Sequence, residues 1–467
     1  GVLTFITFGM ETLHNEDKKN KRILLFPCLL KGHLKPMMQL ADVLYANGFS
    51  ITIIHHTHIF FPASTYPHYE FIELPGPIND VELAQLSPED VVSVFQKLIT
   101  NSVDPLKSCL AMQLASSGDN PITCLISDSV WYFSQAVADN FQLPRICLRT
   151  SSACALLALT KLPGLTKKGY LLGLHQQEAP IEELPPLKVK DLPLIKAGTF
   201  DSTFHELSNS AIVQANMSAG LILNSDEGLE SVNLEKIRQS NPLPIYAIGP
   251  SLRRFSSPSY DRLDQDRDCL NWLDNQEVNS VLYVSFGSIA AISYSVFKDI
   301  ASGLVKSGVP FVWVIRRGLV SGVDNSDLLR RSVEERVRRR GCVVEWAPQQ
   351  EILAHSSIGG FWTHNGWNST FESLCEGVPM ICSPNFGDQM VNARYVSDVW
   401  KVGIHMEGKF QETAIESAIR RLMEEDEGKS FRENAAIMKR KIEMSSECGG
   451  CSSLHLQRLI SHISSLP

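Results

Sequence analysis

Two stretches of this chain repeat one scheme, and together they restrict the fold more than any other feature. In the first, the apolar run Lys21–Leu29 precedes a helical stripe of Met37, Leu40, Ala41 and Leu44. The pair Asn47-Gly48 closes that helix, and a second apolar run, Phe49–His55, follows. In the second, Ser280–Phe286 leads through Gly287-Ser288 into a helix over Tyr294–Lys306, with Phe297, Ile300, Ala301 and Leu304 on one face. Gly308 ends it, and Pro310–Arg316 is the next apolar run. Runs that are apolar throughout suit strands covered on both sides, and stripes of period 3.6 suit helices laid against them. Strand, helix and strand in alternation mean parallel sheets with helices on both faces. A chain of 467 residues exceeds what one core usually holds. The expected fold is therefore α/β, with two Rossmann-like, doubly wound domains.

In such sheets functional groups gather at the carboxyl ends of the strands. The loop Leu30–Lys35 carries Lys31, Gly32 and His33 after the first strand, ahead of a helix expected from Pro36. The apolar run Ile122–Ile126 ends at Ser127-Asp128-Ser129, a helix is expected over Trp131–Asn140, and the strand Pro144–Leu148 ends at Thr150-Ser151-Ser152. His33, Asp128 and Thr150 thus share one sheet edge. A histidine is the natural base near neutral pH, and a carboxylate on its other nitrogen fixes the tautomer. The plain alternatives are a helix-capping role for His33 and an N-cap role for Asp128.

The stretch Trp346–Gln389 reads as a strand (Gly359–Thr363), a turn (His364–Trp367), a helix from about Asn368 and a second strand through Met380–Cys382. The helix stripe is Phe371, Leu374, Cys375 and Val378. Asn368 and Ser369 stand at its start, where free N–H groups and the dipole favour an anion, and His364 and the amides around Gly366 add donors. Other readings exist for the same residues. Ser369 and Glu372 have capping-box spacing, Trp346, Trp362 and Trp367 suit a core, and Asp388 suits a turn.

This stretch resembles the signature box of the plant UDP-sugar-dependent glycosyltransferases of glycosyltransferase family 1. WAPQ, the HxGWNS core, the E-x-x-x-x-GVP run and the closing Asp388-Gln389 stand in register. The resemblance implies that Trp346 stacks on the uracil, that Gln349 contacts the uridine and that Ala347 is among the donor-binding residues. It assigns Glu372 to the ribose hydroxyls, and His364, Gly366, Asn368, Ser369 and Ser288 to the diphosphate. Trp367, Asp388 and Gln389 would read the sugar, Gln389 as in glucose users, and Thr150 would meet its 6-hydroxyl. It makes His33 and Asp128 the catalytic dyad of an inverting, metal-independent transfer from UDP-glucose, giving a β-glucoside. Gly32, Trp131 and Ser151 are the acceptor-side candidates. The implied architecture is the two-lobed GT-B fold, its domains facing across a cleft. Segments such as LPPLKVKDLP and NARYVSDVWKVG look nearest to the plant family 76 branch, whose acceptors are terpenoids, flavonoids and related small molecules or their glycosides. Lys31 departs from the family pattern and is expected to lower the basicity of His33. Ser326–Arg340 departs too, and Arg149 is an unusual neighbour for Thr150.

Composition excludes some partners. A net charge of −8 disfavours nucleic acid and anionic membranes, and no run is long enough to span a bilayer. Eleven scattered cysteines suit free thiols in a reducing cytoplasm. Residues 1–20 read as a mobile leader, 21–249 as the acceptor-binding domain, 250–268 as a linker, 269–450 as the donor domain, and 451–467 as a helix returning to the first domain. Asp264-Gln265-Asp266, a metal-type D-x-D, falls in the linker. No cofactor is expected, and the partners are a UDP-sugar and a small acceptor bound by a monomer. A nicotinamide oxidoreductase would need a G-x-G-x-x-G after a strand, which is absent. A catalytically silent UDP-sugar binder would keep Trp346, His364 and Glu372 but not need His33.

Overall fold

The computed structural model describes residues 21–467 apart from 58–64, 77–89, 119, 171–176, 194–201, 254–266, 289–290, 324–329, 332, 334–339 and 409. The expected leader, the Asp264-Gln265-Asp266 motif, most of the linker and most of Ser326–Arg340 lie outside the described residues.

Thirteen strands form two sheets among the described residues. The first lobe holds β1 (Arg22–Phe26), β2 (Ser50–His56), β3 (Glu70–Leu74), β4 (Ile122–Asp128), β5 (Arg145–Arg149), β6 (Gly220–Leu223) and β7 (Ile245–Ala247). Their order is β3-β2-β1-β4-β5-β6-β7, and every pairing is parallel. The second lobe holds β8 (Val281–Ser285), β9 (Phe311–Val314), β10 (Gly341–Val344), β11 (Ile358–Thr363), β12 (Met380–Cys382) and β13 (Gly403–His405). Their order is β10-β9-β8-β11-β12-β13, again all parallel. Each order reverses once, between β1 and β4 and between β8 and β11. The crevice at such a reversal is where open α/β sheets bind ligands.

The sequence reading of the two repeated units holds, with one shift at the first helix. It runs Lys31–Ala46, with Pro36 inside it and His33 in its first turn, not in a loop. Pro36 is the sixth residue of that helix, beyond the first turn, where an N–H would ordinarily donate to the carbonyl four residues earlier. Pro36 strips that donor from the Gly32 carbonyl, and Asn368 Nδ2 of the second lobe fills its place at 2.6 Å. The helix expected over Trp131–Asn140 shrinks to Ser134–Asp139. At the other end of the first lobe, Gly249–Arg253 is a short helix where linker was expected.

One hydrophobic cluster crosses between the lobes. It joins Leu157, Leu162 and Leu234 of the first to Trp367, Tyr395 and Trp400 of the second. Polar links accompany it: Ser152 donates to Asn392 at 2.7 Å, Tyr395 to Asn233 at 3.0 Å, and Arg394 grips Asp191 with two bonds at 2.9 and 3.2 Å. The helix Cys451–Ser465 leaves the second lobe and lays Leu459, Ile460 and Ile463 against the core of the first sheet. Lys21 donates to the Ser464 carbonyl at 2.6 Å, and Tyr246 bonds to His462 at 2.7 Å. The lobes are therefore joined at two separate places. Their reversal points face one cavity of about 1090 Å³.

Candidate active site

On the first-lobe side, β1 runs into the helix carrying His33, and β4 ends at Asp128. Because these strands are neighbours, the two side chains meet: His33 Nδ1 lies 2.8 Å from Asp128 Oδ2. Asp128 is fully buried, and its Oδ1 accepts from the Val130 N–H at 2.9 Å, so the carboxylate is held from both sides. Thr150 Oγ1 lies 3.1 Å from the same His33 nitrogen. Nδ1 is thereby occupied, which leaves Nε2 for the cavity that His33 lines. Burial works against charging this imidazole, but the Asp128 charge and hydrogen bond outweigh it, with a smaller push from Asp388. The pKa is raised above its ordinary 6.5. Lys31 was expected to depress it; the cation that opposes charging is Arg149 instead, and it does not prevail.

Across the cavity, β8 and β11 deliver two glycine turns. Gly287 has φ 74°, and a Cβ there would sit 2.6 Å from the His364 ring. A Cβ on Gly366 would sit equally close to His364 Nε2. The imidazole is clamped between these turns, which only glycine permits. Burial and the charge of Arg316 push its pKa down to about 4, so His364 is a neutral hydrogen-bonding group and not a source of positive charge. The nearby cation is Arg316, whose Nε donates to the Gly287 carbonyl at 2.8 Å. Ser288 is exposed in the same turn and lines the cavity.

The helix Trp367–Glu376 points its start at the cavity, with Gly366 at its N-cap. Ser369 and Glu372 do not close a capping box. Gln349 Nε2 donates to Ser369 Oγ at 2.9 Å and to Glu372 Oε2 at 2.7 Å, while Lys35 Nζ reaches Glu372 Oε1 at 2.5 Å. Burial opposes charging of Glu372, but Lys35 and Arg253 hold its carboxyl below the usual range. Trp346 and Ala347 also line the cavity, and Lys31 Nζ sits 3.8 Å above the Trp346 ring. Lys31 and Lys35 thus reach across from the first lobe onto the two residues expected to hold the base and the ribose. They stand one turn apart on one helix face, because the helix begins at Lys31 and not at Pro36.

The remaining expected residues divide. Gly32, Ser151, Asp388 and Gln389 line the cavity. Gln389 Oε1 accepts from the Asn385 and Phe386 N–H groups at 2.8 and 3.2 Å, and Asp388 accepts from Asn392 at 3.3 Å. Asn368 spans the lobes, donating to Gly32 and accepting from Asn224 at 3.0 Å. Trp367 is buried, and its indole N–H is committed to the Asn224 carbonyl at 2.5 Å, so it is not a free donor for a sugar hydroxyl. Trp131 is corrected. It is fully buried among Phe26, Phe95 and Phe133, donates to the Pro27 carbonyl at 2.9 Å, and stays out of the cavity. In the turn that follows β4 its neighbours Val130 and Tyr132 line the cleft instead, alongside Phe95, Leu159, Phe204 and Leu207. Phe95, Phe204 and Leu207 leave no trace in the sequence reading because the helices Val91–Ala115 and Ser202–Ala215 that carry them are not recognised there.

Comparison with known proteins fits this geometry. The family model described as UDP-glucoronosyl and UDP-glucosyl transferase matches residues 264–442. UDP-glycosyltransferase 76B1 of Arabidopsis thaliana is 42% identical over 450 residues, covering 96% of this chain and 99% of that protein. UDP-glycosyltransferase 76G1 of Stevia rebaudiana is 42% identical over 458 residues, 96% of this chain and 98% of its own. Flavonol 3-O-glucosyltransferase UGT76E12 of Arabidopsis thaliana is 36% identical over 465 residues, 98% and 100% of the two chains. Among solved structures, UGT2 of Phytolacca americana with UDP-2fluoro-glucose and pterostilbene superposes with a TM-score of 0.79 at 27% identity, over 95% of this chain and 99% of that one. UDP-glucose: anthocyanidin 3-O-glucosyltransferase with UDP gives a TM-score of 0.81 at 25% identity, over 96% and 99%. Two parallel sheets meeting at their reversal points, together with relatives alike along nearly their whole length, make this chain a GT-B enzyme of the plant UDP-glycosyltransferase family, in its family 76 branch.

Proposed function

We propose that the chain transfers glucose from UDP-glucose to a hydroxyl of a small lipophilic plant metabolite (a terpenoid, a flavonoid or a glycoside of either) with inversion at the anomeric carbon. The observation that carries this reading is the His33–Asp128 contact of 2.8 Å, opposite the Trp346–Gln389 box in a shared cavity. His33 Nε2 takes the acceptor's hydroxyl proton, and Asp128 steadies the imidazolium that forms. The acceptor oxygen bonds to the anomeric carbon as the bond to the diphosphate oxygen breaks, and UDP leaves with that electron pair. Attack from the face opposite UDP turns an α-linked donor into a β-glucoside. The start of the helix Trp367–Glu376, Ser288 and the neutral His364 offer hydrogen bonds to the departing diphosphate, so this reading requires no metal. Trp346 and Ala347 frame the uracil, Gln349 and Glu372 the uridine, and Asp388 and Gln389 the sugar.

The acceptor lies against the apolar first-lobe wall. Relatives named for flavonol glucosylation and for a pterostilbene complex support phenolic acceptors. In this reading 21–249 binds the acceptor, 269–450 binds the donor, 250–268 links them and 451–467 fastens the second to the first. The enzyme works as a cytoplasmic monomer. Replacing His33 by Ala tests it: transfer should fall roughly 10²–10⁴-fold, while calorimetric UDP affinity stays. Undiminished transfer by that variant would refute the base assignment.

A further inference from the structure

Besides Lys31 and Lys35, which reach over to the second lobe, the first-lobe wall carries a further cation among its apolar residues. Arg149 closes β5, next to Thr150, and lines the same cavity as His33. Its Nε donates to Ser151 Oγ at 2.9 Å and its Nη1 to Ser129 Oγ at 3.5 Å. Both partners are neutral hydroxyls. Asp128 and Asp388 act on it only through longer-range charge, and each has another engagement, with His33 and with Asn392. Burial accordingly lowers the Arg149 pKa, which marks a cation short of a compensating anion. Beside it lies a second cavity of about 240 Å³, bordered by Arg149 and Ser129 together with Lys161, Asn216 and Asn241, and among the described residues no acidic side chain lines it.

A guanidinium presents paired N–H donors that match a carboxylate, and two serines use that fork without neutralising it. A plain structural brace would be served as well by a neutral amide. We propose that Arg149 is a specificity-determining residue whose guanidinium receives a carboxylate on the acceptor, so that compact hydroxy acids are preferred over their neutral analogues. This rests on the reading of His33 as the base: the acceptor's hydroxyl goes to His33 while its carboxylate goes to Arg149. Both groups line the same cavity, and Thr150, which follows Arg149 in the chain, lies 3.1 Å from His33 Nδ1.

The test pairs each of the three hydroxybenzoates with its own methyl ester, with UDP-glucose as donor and the alkali-stable glucoside as product. For at least one isomer, kcat/KM for the acid should exceed that for the ester by about 10–100-fold. In Arg149→Gln that ratio should collapse toward one, and Arg149→Lys should retain part of it. Calorimetric titration of the same pairs into the UDP-bound protein reads the preference without turnover. Melting temperature and UDP affinity show whether each variant is folded. Arg149-dependent binding of the acid without any transfer would sustain this inference while refuting the proposed reaction. Equal affinity of the wild-type protein for acid and ester, or a preference kept intact in Arg149→Gln, would overturn it; if Arg149→Gln does not fold, the wild-type titrations and Arg149→Lys decide.

Discussion

His33 is subject to two opposed effects, and which one wins sets how the enzyme responds to pH. Burial disfavours the imidazolium, Asp128 favours it, and the net pKa stands above 6.5. The base is active only when neutral. The acid limb of kcat/KM should therefore rise through an apparent pKa above 6.5, and Asp128→Asn should shift that limb to lower pH. The same substitution should lower the plateau roughly 10²–10⁴-fold, since the tautomer is no longer fixed. A pH–rate profile of the two proteins checks both points. At this scale much was legible in the sequence. His33, Asp128 and Thr150 could be aligned because each ends or follows a parallel strand, and strand ends are easy to find in apolar runs. Trp131 was misplaced because one residue of slip after a strand end decides between core and cleft, and no pattern fixes it. Lys31 was noticed, but its target, the Trp346 ring, lies 315 positions away and belongs to tertiary geometry.

Elements meet through side chains that complete each other's ends. The helix Ala153–Lys167 begins with the Ala153 and Cys154 N–H groups donating to the two oxygens of Glu230, at 2.9 and 2.8 Å. Ser225 adds a third bond to that buried carboxyl at 2.6 Å. The helix that follows Thr150 therefore has its anion site filled from within the first lobe. Glu230→Ala should leave those donors stranded and cost roughly 2–4 kcal/mol, measured by urea denaturation. Gly32 and Asn368 make the corresponding link between lobes, since Pro36 frees the carbonyl that Asn368 takes. Strand and helix identities were readable because their periodicities differ. Such end-to-end contacts were not, because a capping carboxylate 77 residues away leaves no local signature.

Over the whole molecule, the two-domain plan followed from the repeated strand–helix–strand scheme, but the closeness of the lobes did not. The buried pair Asp191–Arg394 is bidentate and crosses the boundary, with side chains only 2% and 7% exposed. Arg394→Ala should strand the Asp191 carboxylate and destabilise the protein by about 3–5 kcal/mol. Replacing both partners by apolar residues of similar size should cost less, and the two variants together form the thermal-denaturation check.

The helix Cys451–Ser465 covers one flank of the first sheet, packing Leu459 and Ile463 with Ile222 and Tyr246. During synthesis those first-lobe residues emerge long before their cover does. At ribosomal rates, the roughly 200 intervening residues take about 10–40 s to appear. For that interval the nascent first lobe shows an apolar flank without its cover, and slow decoding within the second lobe lengthens the exposure.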